Sequence, residues 1–278
     1  MTKIRLGIST CPNDTFAFHG LLTRSVDWRG LEFEVELIDI QQLNHRLFRR
    51  EFDVAKTSFH AALLLANDVV VLPSGSALGF GVGPLLLSSS PNTRPSGSSQ
   101  TTLCPGEHTT ATLLFQLFYS NTTRIEHTVF SNIMPRLQDK TADFGVCIHE
   151  GRFTWEQQGL GCVEDLGTRW ETETSCPLPL GGIVASRSLS DETIATVQAV
   201  IHDSLNHGLA DPDATLPTMR KYAQEFDDEV LMKHVELYVN DWTTDLGDVG
   251  RTALNTLSER AVAAGIVRET ATIEVFAQ

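Results

Sequence analysis

The sequence predicts an α/β protein with two lobes around a central ligand cleft and a helical C-terminal part. Short apolar strands alternate with amphipathic helices over residues 3–72 and again over residues 101–166. A polar stretch rich in Pro, Ser and Gly, residues 88–100, separates the two series, and residues 175–182, with two prolines and two glycines, lead back. Such alternation is typical of mostly parallel sheets covered by helices.

The two crossings divide the chain into two expected lobes. The larger lobe comprises residues 1–88 and 184–278, and the smaller lobe comprises residues 89–183. Open α/β sheets bind ligands outside the carboxyl ends of their strands. We therefore expect both lobes to direct these strand ends toward one cleft.

The larger lobe begins with four apolar or alternating runs that predict strands over residues 3–9, 31–40, 53–56 and 69–73. Pro12 breaks the first of them, and Asn13 and Asp14 favour the capping of a helix that starts near Thr15. Amphipathic patterns predict helices over residues 41–50 and, after Ser58, over residues 59–67.

A glycine-rich loop, residues 75–83, leads to an apolar run at residues 85–87. Beyond the polar stretch, we expect strands over residues 101–105, 124–130, 142–148 and 162–166 and helices over residues 107–119, 133–138 and 153–158. A strand at residues 183–186 returns to the larger lobe. Helical periodicity then dominates, with helices predicted over residues 192–208, 216–225, 228–239 and 248–265.

Composition limits the classes of partner. The net charge of −14 disfavours nucleic acid and anionic membranes, and no apolar run has the length of a membrane helix. The five cysteines show no CxxC pairing, which indicates reduced thiols, and the N-terminus has the pattern of a strand rather than of a signal peptide. We expect a cytoplasmic protein that acts on a small molecule; the sequence leaves the oligomeric state open.

Two stretches of the larger lobe place polar side chains at strand ends. Asn13 and Asp14 follow the first strand, and Lys56, Thr57 and Ser58 lie between the end of the third strand and the start of the next helix. Hydroxyls and free N–H groups at a helix start can hold a hydroxyl or a carboxylate. Helix capping is the competing interpretation for both stretches, and Lys56 could instead point into solvent.

Two further stretches lie in the smaller lobe. Thr109 and Thr110 begin an apolar helix, where N–H groups and hydroxyls together could cradle an anion. His149 follows a buried strand, with Glu150 and Arg152 just beyond it. An imidazole with a pKa near neutrality suits proton abstraction from a hydroxyl or a carbon acid. A surface or core histidine remains the alternative, and Arg152 could pair with Glu150 or with a substrate acid.

Other catalytic patterns are absent from the sequence. No GxGxxG follows a strand, and neither a P-loop, an HExxH nor a GxSxG motif occurs. The sequence therefore favours proton transfer without a nucleotide cofactor or a metal.

These stretches resemble those of the 1,4-dihydroxy-6-naphthoate synthase family of the futalosine route to menaquinone. The resemblance is carried, in matching order and spacing, by ISTCPNDTFAFHGL (8–21), KTSFHA (56–61), SGSALGFGVGPLLL (74–87), GEHTTA (106–111), IHEGRFTW (148–155) and PLPLGGI (177–183). The C-terminal stretch DEVLMKHVELYVNDWTTDLGDVG (228–250) also fits.

The resemblance implies a type 2 periplasmic-binding-protein-like fold and a lyase that acts without a cofactor. The implied reaction cleaves cyclic dehypoxanthinyl futalosine, a carboxylated substrate, to 1,4-dihydroxy-6-naphthoate. It assigns the proton acceptor to His149 and substrate contacts to Lys56, Thr57, Ser58, Thr109 and Thr110. Gly81 and Gly83 would then permit close backbone approach to a flat ring.

Two other functions, both found in proteins of related fold, are alternatives to this lyase activity. One is the chorismate dehydratase of the same pathway, against which the IHEGRF segment argues. The other is a solute-binding protein of the same architecture without catalysis, which fold alone does not exclude.

Overall fold

The computed structural model describes residues 2–148, 151–223 and 227–277, and within them the chain forms two β-sheets surrounded by helices. The strands are β1 (Thr2–Ile8), β2 (Leu31–Leu37), β3 (Val54–Ser58), β4 (Val69–Val71), β5 (Ala77–Gly79), β6 (Leu85–Ser88), β7 (Thr101–Cys104), β8 (Arg124–His127), β9 (Phe144–Cys147), β10 (Gly161–Asp165) and β11 (Leu178–Ser186).

The helices lie mostly near their predicted positions. They are α1 (Pro12–Ala17), α2 (His19–Leu22), α3 (Ile40–Phe48), α4 (Phe59–Leu64), α5 (Thr110–Phe118), α6 (Ile133–Gln138), α7 (Gly151–Thr154), α8 (Leu166–Thr174), α9 (Asp191–Ala210), α10 (Leu216–Tyr222), α11 (Asp228–Tyr238), α12 (Asp241–Thr244) and α13 (Gly247–Ala263). The sequence pattern missed α8 and α12. The carboxylate of Asp165 begins α8 by accepting hydrogen bonds from the N–H groups of Gly167 and Thr168. The capping role expected of Asn13 and Asp14 is wrong, because α1 begins at Pro12 with Cys11 as its N-cap and contains both residues.

The first sheet has the strand order β2-β1-β3-β11-β4, with β5 paired to β11. Strands β1, β2 and β3 are parallel, whereas β11 runs antiparallel to β3, β4 and β5. The second sheet has the order β10-β6-β9-β7-β8, in which β6 runs antiparallel to both of its neighbours. Strand β7 is parallel to β8 and β9.

The expectation of mostly parallel sheets is therefore wrong. Strands β6 and β11 each enter their sheet at the edge where the two sheets meet. Leu85 of β6 pairs with Cys147 at the end of β9, and Gly181 of β11 pairs with Ser58 at the end of β3. A strand that starts where its neighbours end must run opposite to them.

The chain changes sheets at two points, between β5 and β6 and between α8 and β11. The polar stretch 88–100 instead joins β6 to β7 within the second sheet, so it does not connect the sheets. Pro179, Gly181 and Gly182 are also not part of an irregular crossing, because they belong to the nine-residue strand β11, which Pro177 directly precedes. The division of the chain into two lobes stays a prediction. The expected boundaries would have placed β6 in the first sheet and residues 178–183 of β11 in the second, whereas β6 lies in the second sheet and β11 in the first.

One apolar cluster is continuous between the two sheets. It contains Phe59 and Leu78 from the first sheet and its helices, and Phe115, Phe144 and Trp170 from the second. A separate cluster packs the other face of the first sheet against α1, α2 and α9. No described helix has the length and apolarity needed to span a bilayer.

Candidate functional site

A cavity lies where the two sheets meet, with about 730 Å³ of empty space when its open mouth is included. Its walls come from the ends of β1 and β3, the start of α5, the loop before β6, the first half of β11, and α11. Polar stretches predicted from the sequence therefore converge here, as the positions of Asp14, Ser58 and Thr110 illustrate. Ile148, which follows β9, also lines the cavity.

Lys56 points into the protein and not into solvent. Its Nζ lies 2.7 Å from Asp14 Oδ1 and donates to the carbonyl oxygen of Gly75 over 3.1 Å. The side chains of Lys56 and Asp14 are only 6% and 5% exposed. Each charge is thus compensated inside the protein, as burial requires. The pair brings an ammonium group to the cavity wall without adding net charge.

Asn44 of α3, which the sequence analysis missed, fixes the end of β3. Its Oδ1 accepts hydrogen bonds from Thr57 Oγ1 at 2.8 Å and from the N–H of Ser58 at 3.1 Å. Its Nδ2 donates to Ser58 Oγ at 3.1 Å and to the carbonyl oxygen of His108 at 3.5 Å. A buried Asn beside Leu43 in an amphipathic helix is the sequence pattern that could have indicated it.

The start of α5 offers N–H groups to the cavity, whereas its threonine hydroxyls bind the protein. Thr109 is the N-cap and accepts from the N–H of Thr112. Thr110 Oγ1 donates to the carbonyl oxygen of Leu180 over 2.6 Å and accepts from the N–H of His60. Among the described residues, no group accepts from the N–H of Thr110 or of Ala111. These two N–H groups, at the positive end of the helix, remain for an anionic ligand.

His60, the second residue of α4, packs against the start of α5 and contacts it by hydrogen bonds. Its Nδ1 lies 3.2 Å from the carbonyl oxygen of Thr109. A carbonyl only accepts, so Nδ1 carries the proton. Burial lowers the pKa of His60 to about 4, against the opposing effect of the Thr109 carbonyl, so the ring is neutral near pH 7.

Helix α11 contributes His234 and Tyr238, which the sequence analysis also missed. The two are four residues apart, so they lie on one helix face, and their ring centroids are 4.6 Å apart. His234 Nε2 lies 3.1 Å from Asn13 Oδ1, and both residues line the cavity. The i, i+4 spacing of an imidazole and a phenol was the only sequence pattern that could have pointed to them.

Arg152 is placed beside the cavity rather than in its wall. Its Nη1 donates to the carbonyl oxygen of Gly83 over 2.6 Å, and its Nη2 lies 2.7 Å from Asp165 Oδ2. Among the described residues, Asp165 is therefore the acidic partner of Arg152. Pairing of Arg152 with Glu150 or with a substrate acid stays a prediction. His149 and Glu150 lie outside the described residues, so the role of His149 stays a prediction.

The two glycines differ in position. Gly83 lines the cavity, whereas Gly81 is not among the lining residues and donates its N–H to Glu171 Oε1 over 2.7 Å. Its φ of +70° is one that glycine adopts without strain. No group of three or more His, Cys, Asp or Glu side chains suited to a metal ion occurs in the described part of the chain.

Comparison with known proteins adds relatives along almost the whole chain. A family model described as menaquinone biosynthesis matches residues 4–263. The chain is 37% identical over 269 residues to a 1,4-dihydroxy-6-naphthoate synthase of Streptomyces coelicolor, covering 95% of this chain and 94% of the relative. It is 37% identical over 266 residues to a protein of the same name from Thermus thermophilus, covering 96% of each.

Solved structures agree in fold. Protein AF1704 from Archaeoglobus fulgidus superposes with a TM-score of 0.89 at 32% identity, over 95% of this chain and 98% of that one. The alkanesulfonate-binding protein SsuA from Xanthomonas axonopodis superposes with a TM-score of 0.72 at 12% identity, over 98% of this chain and 96% of that one. The second likeness concerns the fold alone, and it confirms the predicted periplasmic-binding-protein-like architecture.

The motifs predicted one family, and the family model and both curated relatives agree with that prediction. The chain belongs to the menaquinone-biosynthesis family that contains the 1,4-dihydroxy-6-naphthoate synthases.

Proposed function

We propose that this protein is a lyase that converts cyclic dehypoxanthinyl futalosine to 1,4-dihydroxy-6-naphthoate, with His149 as the proton acceptor. The observation that carries the proposal is the convergence of the family's separate motifs on one cavity. Lys56, Ser58 and Thr110 come from distant parts of the chain and meet in its walls.

The cavity has donors for both ends of such a substrate, which is a rigid carboxylated bicycle with a polyhydroxylated ring. The N–H groups of Thr110 and Ala111 suit the carboxylate, because the α5 N-terminus carries partial positive charge. Ser58 Oγ accepts from Asn44, so its own proton is left to donate to a substrate hydroxyl. The Lys56 ammonium group has three protons and two acceptors in the described residues, which leaves one proton for a substrate oxygen.

The base would remove a proton from a hydroxyl of the sugar-derived ring. Formation of the carbonyl would break the adjacent carbon–carbon bond in a retro-aldol manner, and the electron pair of that bond would pass to the bicycle as an enolate. Elimination would then release the sugar-derived fragment, which takes back the proton held by the base, and would leave the aromatic product. Aromatisation supplies driving force, so this scheme assigns no step to a cofactor or a metal. The sequence supports His149 for the role because it follows Ile148, a residue that lines the cavity.

The same proposal extends to the setting of the protein. We place it in the cytoplasm, which its five free cysteines support. Its net charge of −14 argues against a nucleic-acid or anionic-membrane partner. The partner that we propose for the cavity is the small carboxylated substrate.

The test is to incubate the purified protein with cyclic dehypoxanthinyl futalosine and to detect the naphthoate by mass. His149→Gln should lower kcat by at least about 100-fold, since general base catalysis contributes that much or more, and should leave substrate affinity nearly unchanged. The matched control is His202→Gln on α9, which lies outside the cavity wall and should turn over like the wild type.

The remaining outcomes separate the alternatives. Binding of the substrate by the wild type without turnover would favour the solute-binding protein. Turnover of chorismate instead would favour the dehydratase of the pathway. Near-native turnover by His149→Gln would remove His149 from its role and leave the overall reaction standing.

A further inference from the structure

We propose that His234 is a positioning residue for the reaction at this cavity, acting through Asn13 and Asp14 on the ammonium group of Lys56. The inference rests on the proposed function, because it concerns a donor that this reaction would use.

The four side chains form one continuous hydrogen-bonded chain. His234 Nε2 lies 3.1 Å from Asn13 Oδ1, and Asn13 Nδ2 donates to Asp14 Oδ1 over 3.1 Å. The same Oδ1 atom lies 2.7 Å from Lys56 Nζ, while Asp14 Oδ2 accepts from Ser9 Oγ. The chain thus runs from α11 through α1 to β3, between residues 178 positions apart in the sequence.

The donors and acceptors in this chain have only one consistent direction. Asp14 pairs with an ammonium group, so its carboxylate is ionised and only accepts. The amide nitrogen of Asn13 must then face Asp14, which leaves the amide oxygen toward His234. An amide oxygen only accepts, so His234 must carry its proton on Nε2.

In this direction, His234 donates to Asn13 and thereby holds the pair in place. Lys56, Asp14 and His234 are 5%, 3% and 8% exposed, so water does not readily replace a lost donor. Without the His234 donor, the Asn13 amide is free to rotate, and Asp14 loses the group that fixes its Oδ1. The ammonium proton that faces the cavity then loses its fixed direction.

Two variants of His234 separate the lost donor from lost volume. His234→Phe keeps a ring against Tyr238 but lacks the donor, and kcat/KM should fall about tenfold, as for one buried hydrogen bond to a charged network. His234→Gln keeps an N–H donor at the position of Nε2 and should stay within about threefold of the wild type. Loss of activity in His234→Gln equal to that in His234→Phe would overturn the proposal.

The matched control is His19→Phe on α2. His19 is also 8% exposed and also makes a hydrogen bond through its ring, with Nδ1 2.7 Å from Thr218 Oγ1, but it does not line the cavity. This variant should retain wild-type kcat/KM at a temperature where it is folded. A tenfold loss in it as well would show that the His234 effect is general destabilisation, which would overturn the proposal.

A double-mutant cycle tests whether His234 acts through Asn13. Asn13→Ala should also lower kcat/KM about tenfold, and the double variant should lose about tenfold rather than about a hundredfold, because both changes break the same chain. Losses that multiply would overturn the proposed route.

A measurement on the wild type without substrate keeps the inference independent of the activity. In protein with ¹⁵N-labelled histidine, the resonance missing from His234→Gln is assigned to His234, and Nε2 should show the shift of a protonated nitrogen. An unprotonated Nε2 at neutral pH would overturn the chain. Failure of the wild type to form the naphthoate would instead count against the proposed function, while the nitrogen measurement would still decide the direction of the hydrogen bonds.

Discussion

His60 and two histidines near it link the protonation of single residues to the stability of the fold, and of the three only His60 is fully buried. His60 has its pKa lowered to about 4 by burial, and His108 and His127 have theirs lowered by burial too. In the unfolded chain a histidine binds its proton near pH 6.5. As the pH falls below 6.5, the unfolded chain binds protons that the folded protein does not bind until about pH 4. The free energy of unfolding is therefore highest above pH 6.5 and decreases as the pH falls from 6.5 toward 4.

We expect the free energy of unfolding to decrease over this range, with His60 contributing up to about 3 kcal/mol. Urea unfolding at a series of pH values measures the slope. His60→Leu should flatten it relative to the wild type. An identical slope in His60→Leu would show that this ring does not titrate within the fold.

Residue types could be predicted from the sequence, but their partners could not. Lys56, Ser58 and Thr110 were indicated because strand ends and helix starts have local patterns. Asn44 and His234 were missed because each lies in the interior of a helix, where the patterns that could have indicated them are too common to single out one polar residue. His234 lines the cavity, whereas Asn44 acts behind its wall through Thr57 and Ser58. The Thr110 hydroxyl was expected to face a ligand, and its use by Leu180 depends on where β11 lies.

At the scale of elements, the loop before β6 and the start of α8 touch through their backbones. A Cβ added at Gly83 would lie 2.2 Å from Gly167 Cα and 2.5 Å from its nitrogen. Because both atoms belong to the backbone, no side-chain rotation relieves the contact. The Gly83 carbonyl also accepts from Arg152, so a displaced loop would disturb the cavity wall and the anchor of α7 together.

We therefore expect Gly83→Ala to lower the free energy of unfolding by about 1–3 kcal/mol, the usual cost of overpacking, and to weaken substrate binding. The control is Gly97→Ala in the loop between β6 and β7, where the nearest atom to an added Cβ is Ser99 Oγ at 4.0 Å. Thermal unfolding and a substrate titration of both variants give the comparison. Equal stability of Gly83→Ala and the wild type would mean that the loop before β6 and the start of α8 can move apart at little cost.

Element type followed from the sequence more reliably than strand direction. The positions of β1, β3, β7 and β9 were predicted because their apolar runs are continuous or alternating. The direction of β11 was not, since antiparallel pairing depends on which edge the returning chain reaches. Its prolines and glycines indicated a loop, yet Gly181 pairs with Ser58, where a Cβ would lie 2.6 Å from the Thr57 carbonyl oxygen.

Net charge is a property of the whole molecule that the two lobes share. The chain has 35 acidic and 21 basic residues, so repulsion between its excess negative charges lowers the stability of the folded state. Its ion pairs are mostly exposed, such as Lys3–Glu34 and Lys233–Glu229, and exposed pairs contribute little. Lys56–Asp14 is buried and therefore poorly screened by salt.

Screening of the repulsion should therefore outweigh the weakening of the surface pairs. We expect the melting temperature to rise by about 2 °C or more as NaCl increases from about 0.05 M to about 0.5 M. Scanning calorimetry in NaCl, rather than in sulfate, avoids the added stabilisation of apolar burial by excluded salts. A melting temperature that falls with salt would mean that surface pairs dominate.

The two-lobed architecture was predictable as a whole because the chain repeats its alternation of strands and helices and belongs to one family. The places where the chain changes sheet were not, since the polar stretch 88–100 has the composition of a linker but closes a loop between β6 and β7. Composition indicates solvent exposure, and exposed loops occur within lobes as well as between them.

The position of β11 has a consequence for how the protein is made. It separates β3 from β4, so the first sheet is incomplete until residues 178–186 have been synthesised. By then all strands of the second sheet have been synthesised. The N-terminal β1, β2 and β3 must wait with an open edge while the later sheet can already form, and the lobe that begins the chain is the last to be finished.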